Sequence, residues 1–419
     1  MSTPDVRRTI EAIFRIEGAK LIAVIARIVR DIGVAEELAQ DALVAALETW
    51  PTAGVPDNPG GWLTTIAKHR AIDVLRRGKC IERKHEEIGH AMVEREQIAP
   101  DLAAAIDNDV DDDLLRLIFT ACHPILSREA RVALTLRMVG GLTTADIARA
   151  FLVSEPTIAQ RIVRAKNTLS EAGVPFEMPR EPERALRLAS VLEVIYLVFN
   201  EGYSATAGDD WMRPELCNDA LRLGRILAGL AAHEPEVHGL VALMEIQASR
   251  SAARIKPDGD PILLLDQNRT RWDRLLIQRG LVALARVEAL DGVNGPYALQ
   301  AAIAACHAHA RTADETDWGH IAALYAVLAQ RVPSPIIELN RAVAVSMALG
   351  PAAGLAIVDN LSDEPALASY HLLPSVRGDL LAKLGRNVEA CREFERAAAM
   401  TYNEREKRLL LDRAAACRT

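Results

Sequence analysis

Apolar residues recur at helical spacing along the whole 419-residue chain, and no convincing run alternates apolar with polar residues at the two-residue period of a half-buried strand. That pattern sets an all-α architecture as the expectation. Composition agrees: Ala, Leu and Arg abound while aromatic residues make up 4%, a mix that favours helices over strands. Half the residues are apolar and a quarter are charged, so the chain can bury real cores. Its length allows roughly two to four domains.

Charge and proline divide the chain. Residues 1–84 form a helical block that ends basic, in "KHRAIDVLRRGKCIERK". Residues 85–112 are an acidic linker whose "DNDVDDD" end suits the N-terminus of the next helix, where negative charge meets the positive end of the helix dipole. A second helical block covers 113–172. Residues 173–182 are a Pro-rich connector, and 183–419 form a long helical extension. Near its end, "GDLLAKLGRNVEACREFERAAAM" places Gly378, Leu381, Gly385, Ala390, Phe394 and Ala397 as a tetratricopeptide unit would. A looser copy, with Ala344 and Gly350 in the matching places, lies about 35 residues earlier. Generic antiparallel helical hairpins would read the same way.

The second block contains "TTADIARAFLVSEPTIAQRIVRAKNTL", Thr143 to Leu169. Thr143 and Asp146 form a capping-box pattern for a first helix. Ser154 caps a second, with Pro156 in its first turn, where a missing N–H costs nothing. On a 100° wheel Ile158, Ile162, Ala165 and Leu169 share one face. Gln160, Arg164 and Asn167 lie opposite, flanked by Thr157 and Arg161. Lys166 is off that face and could at most reach a phosphate. This is a helix-turn-helix. Arg pairs bidentately with guanine, Gln or Asn with adenine, and Thr157 sits where a helix N-terminus meets a phosphate. A solvated amphipathic helix shares the period but not the caps, turn length and outward residue types. The net charge of -8 excludes a wholly basic nucleic-acid coat, so any DNA contact must be local.

Two segments of the first block narrow the reading. "AEELAQDALVAALETW" is an amphipathic helix with Leu38, Ala42, Ala45 and Ala46 inward, and Glu36, Glu37, Gln40 and Asp41 outward and acidic. After a Pro/Gly loop, "GWLTTIAKHRAIDVLRR" sets Trp62 and apolar residues among Lys68, His69, Arg70, Arg76 and Arg77. One aromatic on a basic helix suits a DNA backbone and unstacked bases. A core Trp beside a solvated basic face is the plainer alternative for that segment alone.

Taken in order, "EELAQDALVAALETW", "GWLTTIAKHRAIDVLRR", the acidic linker and "RVALTLRMVGGLTTADIARAFLVSEPTIAQRIVRAKNTL" resemble the bacterial sigma-70 family, specifically the extracytoplasmic-function (ECF) sigma factors. These join a region 2 domain to a region 4 domain with no region 3 between. The resemblance spans roughly Arg8 to Ala172, and the remainder looks like the long helical extension of one ECF subgroup. It implies core RNA polymerase (its β′ and β subunits) and promoter DNA as partners. The acidic helix would dock on the β′ coiled coil through Glu36, Glu37, Gln40 and Asp41. The helix from Trp62 to Arg77 would hold the melted -10 strand, with Trp62, Lys68, His69, Arg70, Arg76 and Arg77. The second helix of the helix-turn-helix would read the -35 element with Thr157, Gln160, Arg161, Arg164 and Asn167. Many ECF members have Asn where this chain has His69, so the -10 preference does not carry over at that position. A free-standing helix-turn-helix regulator with a helical sensor domain is the other reading, but it needs neither the acidic docking helix nor the Trp62 helix.

No GxSxG, P-loop or HExxH pattern occurs, so neither an enzyme nor a cofactor is expected. "CHAH" (Cys306, His307, His309) lacks a second ligand pair at zinc spacing, so no metal is expected. Six scattered Cys without a CxxC pair fit a reducing, cytoplasmic location. The longest apolar runs fall short of the ~20 residues that span a bilayer, and no secretory leader is apparent, so no membrane partner is expected. "DGDPILLLDQNRTRWDR" packs Asp258, Asp260, Asp266, Arg269, Arg271, Trp272 and Asp273 closely. It reads as a ligand clamp, an interdomain salt-bridge cluster, or structural ion pairs on a turn and helix start. Some 235 residues without an enzyme motif, fused to two small helical domains, point to a regulatory extension that contacts the other domains, polymerase or a regulatory protein.

Overall fold

The computed structural model describes residues 3–86, 110–151, 153–180, 183–205, 207–208, 210–257 and 259–418. Most of the acidic linker 85–112, and Asp258 of the Asp/Arg/Trp cluster, lie outside the described residues. The chain forms two compact units, Met1–Ile195 and Tyr196–Thr419.

In the first unit, α1 (Thr3–Val29), α2 (Ile32–Ala53) and α3 (Pro59–Glu86) pack against one another. Asp31 separates the first two: its Oδ1 accepts from the amides of Gly33 (2.7 Å) and Val34 (2.9 Å), capping α2. Helix α2 buries Leu38, Ala42, Ala46 and Trp50, and α3 buries Leu63, Ala67 and Ala71. Both lines repeat every fourth residue, which keeps them on one face, and their alanines let the helices approach closely. Ala45, expected inward, is only half-buried, while Ala35 and Ala39 are fully buried.

Helix α4 (Val110–Ala121) packs on α1, followed by α5 (Arg128–Met138), α6 (Thr144–Ala150) and α7 (Glu155–Glu171). Next comes α8 (Glu183–Tyr203), and the division between the units falls inside it. Its first turns are built into the first unit. The Arg187 guanidinium donates to the Phe119 carbonyl (3.0 Å), the Ser190 hydroxyl to the Cys122 carbonyl (2.7 Å), and Arg128 to Glu193 (2.6 Å).

The second unit continues through α9 (Pro214–Leu230), α10 (Pro235–Ala248), α11 (Arg274–Ala289), α12 (Pro296–His309), α13 (Trp318–Arg331), α14 (Pro335–Leu349), α15 (Pro351–Asn360), α16 (Leu372–Lys383), α17 (Asn387–Met400) and α18 (Glu404–Ala416). Five of these start on Pro, whose fixed φ suits the first helical position and whose missing N–H removes an orphan donor. Consecutive helices pack on each other along the unit. The α14–α15 and α16–α17 turns place Gly350 (φ 101°) and Gly385 (φ 75°) thirty-five residues apart at positive φ, which L side chains rarely adopt even though the space around both is open. Phe394 is fully buried beside Gly378, with Leu381, Ala390 and Ala397 around it. The strands β1 (Ala207–Gly208) and β2 (Tyr402–Asn403) form a two-residue parallel pair. Buried Asn403 ties them down: its Nδ2 donates to the carbonyls of Ala205 (3.1 Å) and Asp210 (2.9 Å), and its Oδ1 caps α18. No helix among the described residues is long and apolar enough to cross a membrane.

Candidate nucleic-acid interface

The helix-turn-helix forms as its caps dictate. The Thr143 hydroxyl accepts from the Asp146 amide (3.1 Å) and the Asp146 carboxylate from the Thr143 amide (3.2 Å), closing the capping box at α6. The Ser154 hydroxyl accepts from the Thr157 amide (3.4 Å) and contacts the Thr157 hydroxyl (2.7 Å) at the start of α7. Ile158, Ile162, Ala165 and Leu169 are the buried face of α7. Thr157, Gln160, Arg164 and Asn167 are exposed, and Arg161 is half-buried. A cleft of about 490 Å³ beside this face is lined by Ser127, Glu129, Thr157, Gln160, Arg161 and Arg164. Backbone and Ser127 hydrogen bonds, with Arg161 and Arg128 nearby, hold the Glu129 carboxyl below its usual range. One anion therefore sits at the edge of an otherwise donor-rich surface.

Helix α3 carries the second group. Trp62 is half-buried, and its ring meets the buried Trp50 ring edge-on at 5.3 Å. His69, Arg76 and Arg77 are exposed, and Lys68 is half-buried. Arg70 is not free: its guanidinium pairs with Asp41 of α2 at 3.0 Å, tying the basic helix to the acidic one.

The acidic face of α2 differs from its sequence reading at one position. Glu37 and Asp41 are exposed and Gln40 is half-buried, but Glu36, expected outward, is 5% exposed. Its carboxylate takes Arg137 Nε of α5 at 2.6 Å and Lys166 Nζ of α7 at 2.5 Å. Gln40 donates to the same carboxylate at 3.4 Å. A buried carboxylate holds its charge only against cations, and two converge here. Lys166 is thereby also corrected: it is spent on Glu36 rather than offered to a phosphate. Nearby, the Ser170 hydroxyl donates to Asp31 Oδ2 (2.9 Å), so the cap of α2 also holds the end of α7. Sequence reasoning missed Arg137, whose sole local signal is a basic residue in the last turn of α5. Its partner lies 101 residues away.

In the second unit the Asp/Arg/Trp segment disperses. Asp260 pairs with Arg405 (3.0 Å) and Arg408 (3.4 Å), and Asp273 caps α11. Arg269 turns inward and donates to the carbonyls of His307 (2.8 Å) and Ala310 (2.9 Å) and to the Thr316 hydroxyl (2.9 Å). Cys306 is half-buried, His309 exposed and His307 buried, its ring edge-on to Trp318 at 5.1 Å.

Three family models match parts of the chain. Residues 13–80 match the family model described as sigma-70 region 2, and residues 116–169 match sigma-70, region 4. Residues 187–288 match a family of unknown function (DUF6596). An uncharacterized protein of Rhizobium meliloti is 43% identical over 395 residues, 93% of this chain and 92% of that protein. The ECF RNA polymerase sigma factor SigK of Mycobacterium ulcerans is 30% identical over 147 residues, 34% of this chain and 74% of that protein. The SigK of Mycolicibacterium vanbaalenii is 29% identical over 148 residues, 34% of this chain and 71% of that protein. No solved structure matches the chain.

Proposed function

The chain belongs to the ECF sigma factors of the sigma-70 family, and from that premise we propose how its helices share the work of directing RNA polymerase to promoters. Helix α7 reads the -35 element as duplex. Gln160, Arg164 and Asn167 take base edges, while Thr157 and Arg161 hold phosphates. Helix α3 holds the separated -10 strand: Lys68, His69, Arg76 and Arg77 follow its backbone, and half-buried Trp62 offers a ring edge at the base of that surface. Melting follows because a surface that captures unstacked bases favours the open strand. Glu37, Gln40 and Asp41 dock on polymerase. We assign Glu36 a different task, as the clasp that holds α2 against α5 and α7, because a carboxylate already held by two cations has little left to offer a partner.

The observation that carries this reading is the exposed polar face of α7, set directly opposite its buried Ile158/Ile162/Ala165/Leu169 face. Sparse positive charge is consistent with it, because polymerase supplies most of the affinity and α7 need only choose the site. The test is reconstitution with core polymerase on a promoter library. Promoter-specific initiation that falls with Arg164→Ala and shifts preference with Gln160→Ala supports the assignment. Tight duplex binding by the chain alone, with no effect on initiation, overturns it.

The extension from Glu183 is assigned a regulatory role on its size and its lack of an enzyme motif. Truncation after Ile195, rather than at Glu183, is the proper test. A cut at Glu183 removes Arg187, Ser190 and Glu193, which brace α4 and α5. Unchanged promoter-specific transcription in the chain ending at Ile195 overturns the regulatory role.

A further inference from the structure

The middle of the second unit gathers three arginines that form no ion pair with an acid among the described residues, although exposed Glu315 lies within the field of Arg269. Arg254, 7% exposed, stacks on the Tyr203 ring at 3.6 Å and donates to the Tyr203 carbonyl. Arg250 approaches the same ring at 5.7 Å, donates to the Tyr203 hydroxyl at 2.6 Å, and lies 5.7 Å from the Trp272 ring. Arg269, 7% exposed, lies 5.2 Å from the other arginine-flanked ring, Trp272. The result is a ladder of guanidinium, ring, guanidinium, ring, guanidinium. Every hydrogen bond these three arginines make ends on a neutral oxygen: two hydroxyls and three carbonyls. No carboxylate among the described residues forms an ion pair with any of them.

Arginine tolerates burial against aromatic faces because it is weakly hydrated and planar. Stacking explains each arginine singly. It does not explain three like charges brought together, nor the donors left over. Arg250 Nε, Arg269 Nε and Trp272 Nε1 are buried N–H groups that reach no acceptor, and His307 Nδ1 is buried beside them without a partner. Trp272 is 3% exposed and His307 7%. Unsatisfied buried donors are costly, and several in one place call for a shared acceptor. Burial, and after it the fields of Arg250 and Arg269, push the His307 imidazole down to about 4, so it stays neutral beside the arginines. Tyr325, also in the field of Arg250, adds a hydroxyl that burial pushes up to about 12, so it stays a neutral donor.

We propose that Arg250, Arg269, Trp272 and His307 form a binding site for a small soluble oxyanion, a carboxylate or phosphate, in the helical extension. Two or more oxygens on one centre match several N–H donors at once, and guanidinium groups favour such planar or tetrahedral acceptors. The site lies within the second unit and is independent of α2, α3 and α7. Its failure would leave the promoter-directing role untouched.

The test uses the full chain without polymerase or DNA. Sodium phosphate and sodium citrate are titrated separately against sodium chloride of equal ionic strength, with calorimetry and tryptophan fluorescence as readouts. The expectation is saturable binding in the phosphate or the citrate arm beyond the chloride control, the tighter arm naming the ligand class. Arg250→Gln is expected to weaken it at least tenfold. Trp272→Phe keeps an aromatic face between the arginines while removing the N–H with the rest of the indole, and the folded variant is expected to weaken binding several-fold. No saturable binding in either arm, or unchanged affinity in folded Trp272→Phe and Arg250→Gln, overturns the site.

Discussion

One cluster of cations in each unit is held in the opposite way. In the first, Arg137 and Lys166 close on Glu36, Arg27 on Asp113, and Arg128 and Arg131 on Glu193. Each cation reaches a carboxylate from another helix, so charge fastens elements that come from distant parts of the chain. In the second, Arg250, Arg254 and Arg269 stack on Tyr203 and Trp272 and donate to neutral oxygens. A cluster whose cations are matched by anions beside them is electrostatically complete. One whose cations are stacked but unmatched still attracts negative charge. The difference separates a fastening from a receptor, and it can be broken from either side.

The largest expected effect is at Arg269. Replacing it by Ala removes three hydrogen bonds and a ring contact, and leaves the carbonyls of His307 and Ala310 without that donor. Chemical denaturation is expected to show the second unit losing about 4 kcal/mol, with the first unit unchanged. Arg269→Lys is expected to restore little, because one ammonium cannot span the three acceptors. A Lys variant as stable as the parent would mean that charge, not the planar fork, is what the site needs.

Acidification comes next. The His307 imidazole is held near 4 against an ordinary 6.5. The unfolded chain therefore takes up a proton first as pH falls. The stability that neutral His307 contributes is complete above about pH 6.5 and is lost between there and about pH 4, up to about 3 kcal/mol. The measurement is the pH dependence of second-unit stability in the parent minus that in His307→Gln, which cancels groups such as buried Glu236 whose carboxyl is shifted upward. A flat difference would show that neither burial nor the nearby guanidiniums disfavour the charged imidazole.

Glu36→Gln is expected to cost the first unit about 3 kcal/mol, because Arg137 and Lys166 are left largely buried with no carboxylate between them. The same change should loosen α2 from α7, measurable as increased distance between labels on the two helices. Loss of polymerase binding without loss of stability would instead return Glu36 to the docking face.

These cases show which features were legible in the sequence. Helix α7 was readable down to single side chains, since Ile158, Ile162, Ala165 and Leu169 follow one local period and Ser154 acts within four residues. The Gly378–Phe394 hairpin was readable for the same reason. Glu36 was not: it lies opposite Leu38 on the helix wheel, and only Arg137, 101 positions away, and Lys166 decide that it faces inward. The arginine ladder was equally hidden. Arg250, Arg254 and Arg269 look like solvated charges in a line of text, and Arg269 stands among aspartates that suggest ion pairs. The fold gives those aspartates other work, as the α11 cap for Asp273 and as the partner of Arg405 and Arg408 for Asp260. Local period reports burial of apolar residues well and burial of charged residues poorly, because a buried charge is licensed by its tertiary partner.

The smallest expected effect tests the exposed counterpart of the Glu36 clasp. Asp41 and Arg70 form an ion pair at 3.0 Å, but both side chains are well exposed. Exposed pairs contribute between nothing and about 1 kcal/mol, and salt screens them. Asp41→Asn should therefore leave the unfolding of the first unit within about 0.5 kcal/mol of the parent. It should nevertheless weaken polymerase binding if Asp41 docks, and it frees Arg70 to follow the -10 strand. Two readouts then separate: polymerase affinity falls, while affinity for single-stranded -10 DNA rises slightly and does so more at low salt. A stability loss as large as that of Glu36→Gln would show that exposure is a poor guide to which charges fasten this unit.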